Sequence, residues 1–375
     1  MSSSARDSFF MRIALAEAKK GLGRTSPNPC VGAVIVKNNV VISTGYHKKA
    51  GTPHAEVHAL REAGDNAHGA AMYVTLEPCC HIGKTPPCSH AVVKSGIKRV
   101  VIGMLDPNPL VDGGGRKYLE SQGIDVATGC LEEECRSINE PFLKYIVSKK
   151  PLVILKAGIS LDGQLSYQHG KSGWITGPES FEKAHDLRNR FDAILVGRRT
   201  VDIDNPSLTT RLRSGKGRDP LRIILDTHLR SNVNSRVYNL ESSASTLVFC
   251  GEDADSNNAK RFKAKGIEVI EVPIDSTGRI DIGAIFDHIT ERGLTSILVE
   301  GGGGVHTSFL QARLADKAVL FIAPLFAGSV GSPLTPGLSI DDKNSAVRLK
   351  NVTYTQLGDD MMVEGDVHYQ KNNGR

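Results

Sequence analysis

Short β-branched segments alternate with helical segments along the chain, and this alternation strongly limits the folds that the sequence can adopt. In the first half, the pattern predicts strands at residues 31–36, 40–43, 72–76, 99–104 and 124–127, and helices at residues 7–20, 54–63, 89–95, 117–122 and 132–147. Asn38-Asn39, between the first two strands, predicts a hairpin turn. Because strands separated by helices are typical of a sheet covered on both faces, we expect an α/β fold.

The alternation stops once, at Ser148-Lys149-Lys150-Pro151, and then starts again. Because proline disfavours helix at the preceding residue, we place a domain boundary there, with domains at residues 1–148 and 151–375; an ordinary loop is the alternative. In the second half, the pattern predicts strands at residues 152–155, 193–196, 222–225, 246–249, 268–272, 297–300, 318–322 and 361–368, and helices at residues 180–190, 260–265, 282–292 and 306–314.

Charge and cysteine content restrict the partners. A net charge of +5 on 375 residues suits an anionic small molecule, whereas nucleic acid would call for basic clusters. Seven cysteines, an odd number in a long chain, do not suit a secreted disulfide scaffold. The most apolar run, residues 318–328, is too short to span a bilayer. We therefore expect a cytoplasmic protein with reduced thiols that binds neither membrane nor nucleic acid.

Three metal-ligand side chains occur with a spacing that indicates a catalytic zinc site. His54-Ala55-Glu56 opens a predicted helix, Cys79 follows a predicted strand, and Cys88 comes nine residues later. Imidazole and thiolate groups are ligands that Zn²⁺ prefers, and three protein ligands leave a fourth position for water. On a helix, the side chains of His54 and Glu56 diverge, so we expect Glu56 to carry protons rather than bind the metal.

Another interpretation of the cysteines is a closed structural site. Cys79, Cys80, His81 and Cys88 together offer four ligands, but such a site would leave His54-Ala55-Glu56 without a role. The other cysteines are predicted to be small core residues; they are Cys30, Cys130, Cys135 and Cys250.

The His-x-Glu…Pro-Cys…Cys arrangement is the signature of zinc-dependent base deaminases. The long spacing within residues 78–88, which ends in Gly-Lys-Thr-Pro-Pro-Cys, resembles the deaminase half of the bifunctional riboflavin-biosynthesis deaminase–reductases. Residues 26–34 and residues 106–109, followed by Gly113-Gly114-Gly115, resemble the same family. The resemblance implies a cytidine-deaminase-like, three-layer α/β/α domain. In that domain Asn28 would bind the pyrimidine edge, and Lys84 and Thr85 would bind the phosphate.

The second half resembles the reductase domain of the same family. Residues 156–163, 172–177, 200–211 and 300–303 match its motifs in the expected order, and the whole resemblance covers roughly residues 7–369. Asn205 departs from the pattern, because the family usually has an aspartate there. The resemblance implies a dihydrofolate-reductase-like α/β domain that uses NADPH. The glycine run 301–304, between a strand and a helix, has backbone amides that can bind a phosphate.

The resemblance also implies the reductase site residues. Cofactor contacts are expected at Gly158, Trp174, Thr200, Asp204, Thr227, Gly302, Gly303 and Gly304. Substrate contacts are expected at Ser172, Arg188, Leu208, Arg211 and Glu300. The two arginines suit the ribose phosphate, the glutamate suits sugar hydroxyls, and the tryptophan suits the nicotinamide. Lys156 is the candidate proton donor for opening the ribose ring.

The family resemblance implies two consecutive reactions in riboflavin biosynthesis. The first is hydrolytic deamination of 2,5-diamino-6-ribosylamino-4(3H)-pyrimidinone 5′-phosphate with Zn²⁺. The second is reduction of the ribosyl chain by NADPH, which gives 5-amino-6-ribitylamino-uracil 5′-phosphate. We expect this phosphorylated pyrimidine to be the partner, and the protein to be a homo-oligomer.

Two other functions remain open at this point. A nucleic-acid base deaminase with an appended domain would need aromatic-rich, basic surfaces, whereas aromatic residues are 5% of the chain. A zinc-stabilised binding module would need a closed metal site without exchangeable water.

Overall fold

The chain forms two compact units, Met1–Lys150 and Pro151–Arg375, and each is described by itself. The structure is a computed structural model that describes residues 3–80, 87–108, 113–215 and 217–370. In these ranges, no helix has the length and apolar character that crossing a membrane requires.

The first unit is a sheet covered by helices on both faces. Its elements are α1 (Ser3–Lys19), β1 (Gly32–Lys37), β2 (Val40–Tyr46), α2 (Ala55–Ala63), β3 (Ala71–Leu76), α3 (Cys88–Lys94), β4 (Arg99–Met104), α4 (Gly114–Ser121), β5 (Asp125–Thr128), α5 (Glu132–Ile138) and α6 (Glu140–Ser148). The strand order is β2-β1-β3-β4-β5. Strand β1 is antiparallel to both neighbours, and β3, β4 and β5 are parallel. The core is densest at β1, β3 and β4, whose side chains are almost all buried.

The predicted hairpin is confirmed. Lys37 pairs with Val40, so Asn38 and Asn39 form a two-residue loop, with φ angles of 53° and 62°. Positive φ at both loop residues matches the right-handed twist of the strands, and asparagine tolerates that conformation better than most residues do.

The single helix predicted over residues 132–147 is wrong, because the segment forms two helices, α5 and α6. The break lies at Asn139, whose backbone has φ −111° and ψ 12°. Pro141, in the first turn of α6, has no N–H to donate to an earlier turn. The Asn139 side chain accepts a bond of 2.7 Å from the Cys30 N–H and donates one of 3.0 Å to the Cys30 carbonyl. This long-range pairing holds the break in place.

The second unit is built on one mostly parallel sheet. Its elements are β6 (Leu152–Ser160), α7 (Pro178–Arg190), β7 (Ala193–Gly197), α8 (Arg198–Asp204), β8 (Leu221–Leu225), β9 (Thr246–Gly251), α9 (Ser256–Ala264), β10 (Glu268–Val272), α10 (Ala284–Glu291), β11 (Ser296–Gly301), α11 (Gly303–Gln311), β12 (Lys317–Ala323), β13 (Arg348–Leu357) and β14 (Asp360–His368). The strand order is β10-β9-β8-β7-β11-β6-β12-β14-β13. The first seven strands of this order, from β10 through β12, are parallel to their neighbours. Strand β14 is antiparallel to both β12 and β13.

The strand order brings together residues that are far apart in the sequence. The chain runs outward from β7 to β10 and then returns, so that β11 lies between β7 and β6. In parallel sheets, ligands bind beyond the carboxyl ends of the strands, where such a reversal occurs. Here that edge carries the end of β6, the β7–α8 junction and the β11–α11 junction. The sequence pattern had predicted neither α8, which follows β7 without a turn, nor β13, whose side chains are mostly exposed.

Candidate active sites

The structure brings His54, Cys79 and Cys88 together in the first unit. His54 directly precedes α2, Cys79 follows β3, and Cys88 is the first residue of α3. Their ligand atoms all lie within 4.8 Å of one another. His54 Nδ1 lies 3.2 Å from Cys88 Sγ and 3.7 Å from Cys79 Sγ. Three elements separated in sequence thus point their metal-ligand atoms at one place.

The geometry and chemistry of this donor set fit Zn²⁺. Metal–ligand bonds of about 2.0 Å to nitrogen and 2.3 Å to sulfur put tetrahedral ligands roughly 3.5–3.8 Å apart, close to the separations here. Two thiolates and one imidazole leave one position open. His54 is in the group and Cys80 is not, within the part of the chain that the structure describes. A closed knuckle that includes Cys80 is therefore not supported.

Electrostatics at the cluster favour a thiolate. Contact with Cys88 and with the His54 ring lowers the pKa of Cys79 to about 4. The Cys88 N–H also donates to Cys79 Sγ at 3.3 Å. The pKa of Cys88 is raised by Cys79 and by burial. The pair therefore holds one negative charge readily and a second only with a cation between the two sulfurs.

Glu56 lies in the first turn of α2, beside the cluster but outside it. Its side chain is 3% exposed, and its Oε2 has no hydrogen-bond partner among the described residues. Burial raises the pKa of this carboxyl above its ordinary value. A buried carboxyl with an unpartnered oxygen beside a metal-ligand cluster is suited to accept and return a proton.

Asn28 is held by a histidine to which the sequence analysis assigned no role. The Asn28 amide nitrogen lies 3.2 Å from His47 Nε2, and His47 Nδ1 lies 3.2 Å from the Pro53 carbonyl. The carbonyl can only accept, so Nδ1 carries the proton and Nε2 accepts from Asn28. The Asn28 side-chain oxygen is therefore left as the acceptor. No local signal marks His47, because its partner is 19 residues away.

Glu77 is a second buried carboxylate near the cluster, and its role is structural. Its two oxygens accept from the Asp106 N–H at 3.2 Å and from the Arg116 N–H at 2.8 Å. It thereby ties the end of β3 to the segments that follow β4. The expected phosphate contacts Lys84 and Thr85 lie outside the described residues.

The second unit carries two adjoining clefts at the carboxyl edge of its sheet. The larger has a volume of about 740 Å³, and the smaller about 390 Å³. Six expected cofactor residues line the larger cleft: Thr200, Asp204, Thr227, Gly302, Gly303 and Gly304. The others, Gly158 and Trp174, line the smaller cleft together with Lys156, Ser172, Arg188, Leu208, Arg211 and Glu300. Thr200 and Asp204 line both clefts, so the two meet there.

The larger cleft fits a phosphorylated dinucleotide. Its lining includes five cationic side chains, Lys171, Arg198, Arg199, Arg230 and Arg279, against two carboxylates. Gly302 and Gly303 lie where α11 begins, and the first N–H groups of a helix lack intrahelical partners. A Cβ on Gly303 would lie 2.4 Å from the Pro333 carbonyl oxygen, so this position excludes larger side chains.

The side chains of Arg188 and Glu300 form an ion pair with each other. Arg188 Nε and Nη2 donate to the two Glu300 oxygens at 2.8 and 2.6 Å, and Nη1 donates to the Thr209 carbonyl at 3.1 Å. All three guanidinium nitrogens of Arg188 thus donate to protein oxygens, and its contact with the ribose phosphate stays a prediction. Burial opposes the charge of Glu300, but Arg188 and Lys156 overcome it and hold the pKa of Glu300 at about 2.

His185 lines the smaller cleft, and sequence reasoning missed it. Its Nδ1 accepts a bond of 3.1 Å from the Arg211 backbone N–H, and its ring packs edge-on against Phe181. Burial, followed by the charges of Arg188 and Arg211, lowers the pKa of His185 to about 4. The ring is thus neutral and carries its proton on Nε2. Its spacing from Arg188 on α7 was the available signal, since residues three apart share a helix face.

Comparison with known proteins places both units. Residues 151–363 match the RibD C-terminal domain, and residues 4–104 match the cytidine and deoxycytidylate deaminase zinc-binding region. The riboflavin biosynthesis protein RibD of Aquifex aeolicus is 43% identical over 357 residues, 95% of this chain and 97% of that protein. The chain belongs to the RibD family.

Solved RibD structures agree with the fold. Acinetobacter baumannii RibD is 33% identical, with a TM-score of 0.85 over 98% of this chain and 100% of that one. The diaminohydroxyphosphoribosylaminopyrimidine deaminase/5-amino-6-(5-phosphoribosylamino)uracil reductase of Thermotoga maritima is 37% identical, with a TM-score of 0.83 over 97% and 99% of the two chains. The fold expected from the sequence is confirmed, with a cytidine-deaminase-like unit followed by a reductase unit.

RibD membership establishes the general function. The protein is a bifunctional riboflavin-biosynthesis enzyme with a deaminase and a reductase domain, and it acts on a small molecule. The alternative of a nucleic-acid base deaminase with an appended domain is not supported. The zinc-binding region, the reductase domain and the His-Cys-Cys cluster together support Zn²⁺ and NADPH as cofactors.

Proposed function

We propose that residues 1–148 carry a zinc-dependent deaminase and residues 151–375 an NADPH-dependent reductase. The substrate would be 2,5-diamino-6-ribosylamino-4(3H)-pyrimidinone 5′-phosphate, and the final product 5-amino-6-ribitylamino-uracil 5′-phosphate. The name of the Thermotoga maritima relative, which states both activities, supports this assignment. The observation that carries the deaminase half is the convergence of His54, Cys79 and Cys88 beside a buried Glu56.

In the deaminase, His54, Cys79 and Cys88 would hold the metal. Zn²⁺, when bound there, lowers the pKa of a bound water to about 7. Glu56 accepts a proton with its unpartnered oxygen and returns it to the leaving amine, so that ammonia departs as a neutral molecule. Asn28 offers its side-chain oxygen to an N–H of the pyrimidine, because the hydrogen bond that its amide nitrogen donates to His47 fixes the orientation of the amide. Lys84 and Thr85 are the proposed phosphate contacts.

In the reductase, the larger cleft would hold NADPH, with phosphates at the Gly302–Gly304 turn and the nicotinamide where the clefts meet. NADPH supplies a hydride to the sugar C1′. Lys156 Nζ lies 3.9 Å from Glu300 Oε2, and burial lowers the pKa of this lysine. Lys156 can therefore donate a proton to the ribose ring oxygen as the ring opens. Arg188 positions Glu300, whose oxygens retain lone pairs for sugar hydroxyls.

One assay tests both halves. The protein is mixed with NADPH and the diaminopyrimidine substrate, and ammonia release and absorbance at 340 nm are followed in parallel. We expect both ammonia release and NADPH oxidation. If no ammonia is released, the deaminase assignment fails. If ammonia is released but the deaminated intermediate does not oxidise NADPH, the reductase assignment fails.

We also propose that the enzyme works in the cytoplasm, as a homo-oligomer and without nucleic acid. All seven cysteines are free, and two of them are needed as metal-binding thiolates, which supports a reducing compartment. Light scattering at micromolar concentration tests the oligomer, and a monomeric mass would contradict it.

A further inference from the structure

Two of the four cationic side chains in the smaller cleft stand out because they lack an acidic partner. The four are Lys156, Arg188, Arg211 and Arg236. Lys156 and Arg188 face Glu300. Among the described residues, neither Arg211 nor Arg236 has a carboxylate within 4.0 Å. Two of the four cations of this cleft are therefore without an ion-pair partner in the described part of the chain, although Asp204 lines the cleft and Asp219 and Glu300 act on Arg211 from a greater distance.

Arg236 is held at the cleft by a residue that departs from the family pattern. Its backbone N–H donates to the Asn205 side-chain oxygen at 2.7 Å. Asn205 follows α8 in the left-handed region, with φ 41° and ψ 54°, which asparagine tolerates better than most residues. As a neutral amide, Asn205 anchors the backbone of Arg236 without offering a carboxylate to its guanidinium. An aspartate there would place a negative charge beside the cation.

The residues that follow Arg236 are buried, although the side chain of Arg236 itself is exposed. Val237 and Tyr238, the next two residues, are 1% and 7% exposed. The Tyr238 hydroxyl lies 2.9 Å from the Ser231 hydroxyl. Arg236 thus projects from a turn whose other side chains are packed into the core.

Arg211 approaches the same space from the segment after α8. Its Nη1 donates to the Thr209 hydroxyl at 3.1 Å, and its guanidinium lies 5.5 Å from the centre of the Phe181 ring. Burial, followed by the charges of Arg188 and Arg236, lowers the pKa of Arg211. Both side chains line the same cleft, so an anion bound between them would offset the repulsion between the two charges.

We propose that Arg211 and Arg236 together form a two-arginine clamp for the phosphate monoester of the reductase substrate, and that Asn205 positions Arg236 in it. The proposal rests on the proposed function and deepens it. Two guanidinium groups match the charge of a phosphate dianion, and their planar N–H pairs suit its oxygens. Arg188, which Glu300 engages, is left out of the clamp.

Trp174 offers a local report of binding, because it lines this cleft and is the only tryptophan of the chain. The full-length protein is titrated with ribose 5-phosphate and with ribose, and tryptophan fluorescence is followed. We expect Arg236→Gln and Arg211→Gln each to raise the dissociation constant of ribose 5-phosphate about tenfold. Ribose without phosphate should bind equally weakly to all variants. Asn205→Asp keeps a side-chain acceptor for Arg236 and should weaken ribose 5-phosphate binding severalfold through charge alone.

Arg213→Gln is the matched control. Arg213 pairs with Glu182, is well exposed and does not line the cleft, so its loss removes the same charge outside the clamp. We expect wild-type binding of ribose 5-phosphate by this variant. An equal weakening by Arg213→Gln would mean that general charge, and not a clamp, attracts the phosphate. Unchanged binding of 2′,5′-ADP shows that a variant is folded and separates this phosphate from that of the cofactor. If Arg236→Gln loses tenfold in 2′,5′-ADP binding while its unfolding midpoint is unchanged, Arg236 belongs to the cofactor site instead.

The reductase reaction separates failure of the clamp from failure of the proposed function. KM is measured for 5-amino-6-(5-phosphoribosylamino)uracil and for its dephosphorylated form. If Arg236→Gln keeps the wild-type preference for the phosphorylated compound, the clamp is overturned while the function stands. If the wild-type enzyme oxidises no NADPH with either compound, the proposed function itself fails.

Discussion

Replacing Glu56 by glutamine tests the division of labour at the zinc cluster. Glutamine has nearly the shape of glutamate but cannot accept a proton, and Glu56 is not among the three clustered ligands. General acid–base catalysis contributes about 10²–10⁴-fold. The side chain is 3% exposed, so bulk water has little access to take over either of its two proton transfers. We therefore expect the deaminase kcat to fall by about 10⁴-fold, the upper end of the range for general acid–base catalysis.

The measurement combines ammonia release with metal content. Glu56→Gln should bind zinc at wild-type stoichiometry and should still reduce the deaminated intermediate with NADPH. Loss of zinc from this variant would mean that Glu56 is a ligand, and deamination within tenfold of wild type would mean that another group carries the proton. Either result refutes the reasoning.

Glu77→Gln is the matched control, because Glu77 is also 3% exposed and lies in the same unit. Each Glu77 oxygen accepts from a backbone N–H, so an amide would leave one of these donors without an acceptor. An unsatisfied buried donor costs about 1–3 kcal/mol. In a unit of this size, that lowers the unfolding midpoint by roughly 2–4 °C per kcal/mol. We expect Glu77→Gln to lose stability and to keep deamination within about tenfold, the reverse of Glu56→Gln.

Three further predictions concern the second unit. Arg211→Lys keeps the charge but loses the planar fork, so the reductase KM should rise about tenfold with NADPH affinity unchanged; the same rise with a dephosphorylated substrate would contradict this. A fragment of residues 151–375 should fold alone, since it contains its own buried clusters, and NADPH should quench its Trp174 fluorescence; an insoluble fragment would move the boundary. Burial lowers the pKa of His306 to about 4 from 6.5, so the folded state favours the neutral ring. The stability contributed by His306 is therefore present above pH 6.5 and is lost as the pH falls towards 4. Between pH 6.5 and pH 4, the unfolding midpoint of His306→Gln should fall less than that of wild type. An equal fall in both proteins would contradict the burial argument.

Several features of the protein follow from the sequence because short-range chemistry determines them. The Asn38-Asn39 turn and the alternation of strands and helices both depend on residues within a few positions of one another. The metal-ligand set was also readable, because His-x-Glu and Pro-Cys with a later cysteine have few uses other than this chemistry. The motifs of the second half likewise indicated its family, through an ordered series of short patterns.

Tertiary structure alone decided which side chains meet. Pro141 was a local signal for the break between α5 and α6, but the hydrogen bonds that hold Asn139 there join it to Cys30, which is 109 residues away. The pairing of Arg188 with Glu300 joins residues that are 112 positions apart, and the sequence analysis did not predict it. A guanidinium binds whichever anion the fold places beside it, and the distance between the two groups cannot be predicted from their positions in the sequence. The strand order, which puts β11 between β7 and β6, sets those distances.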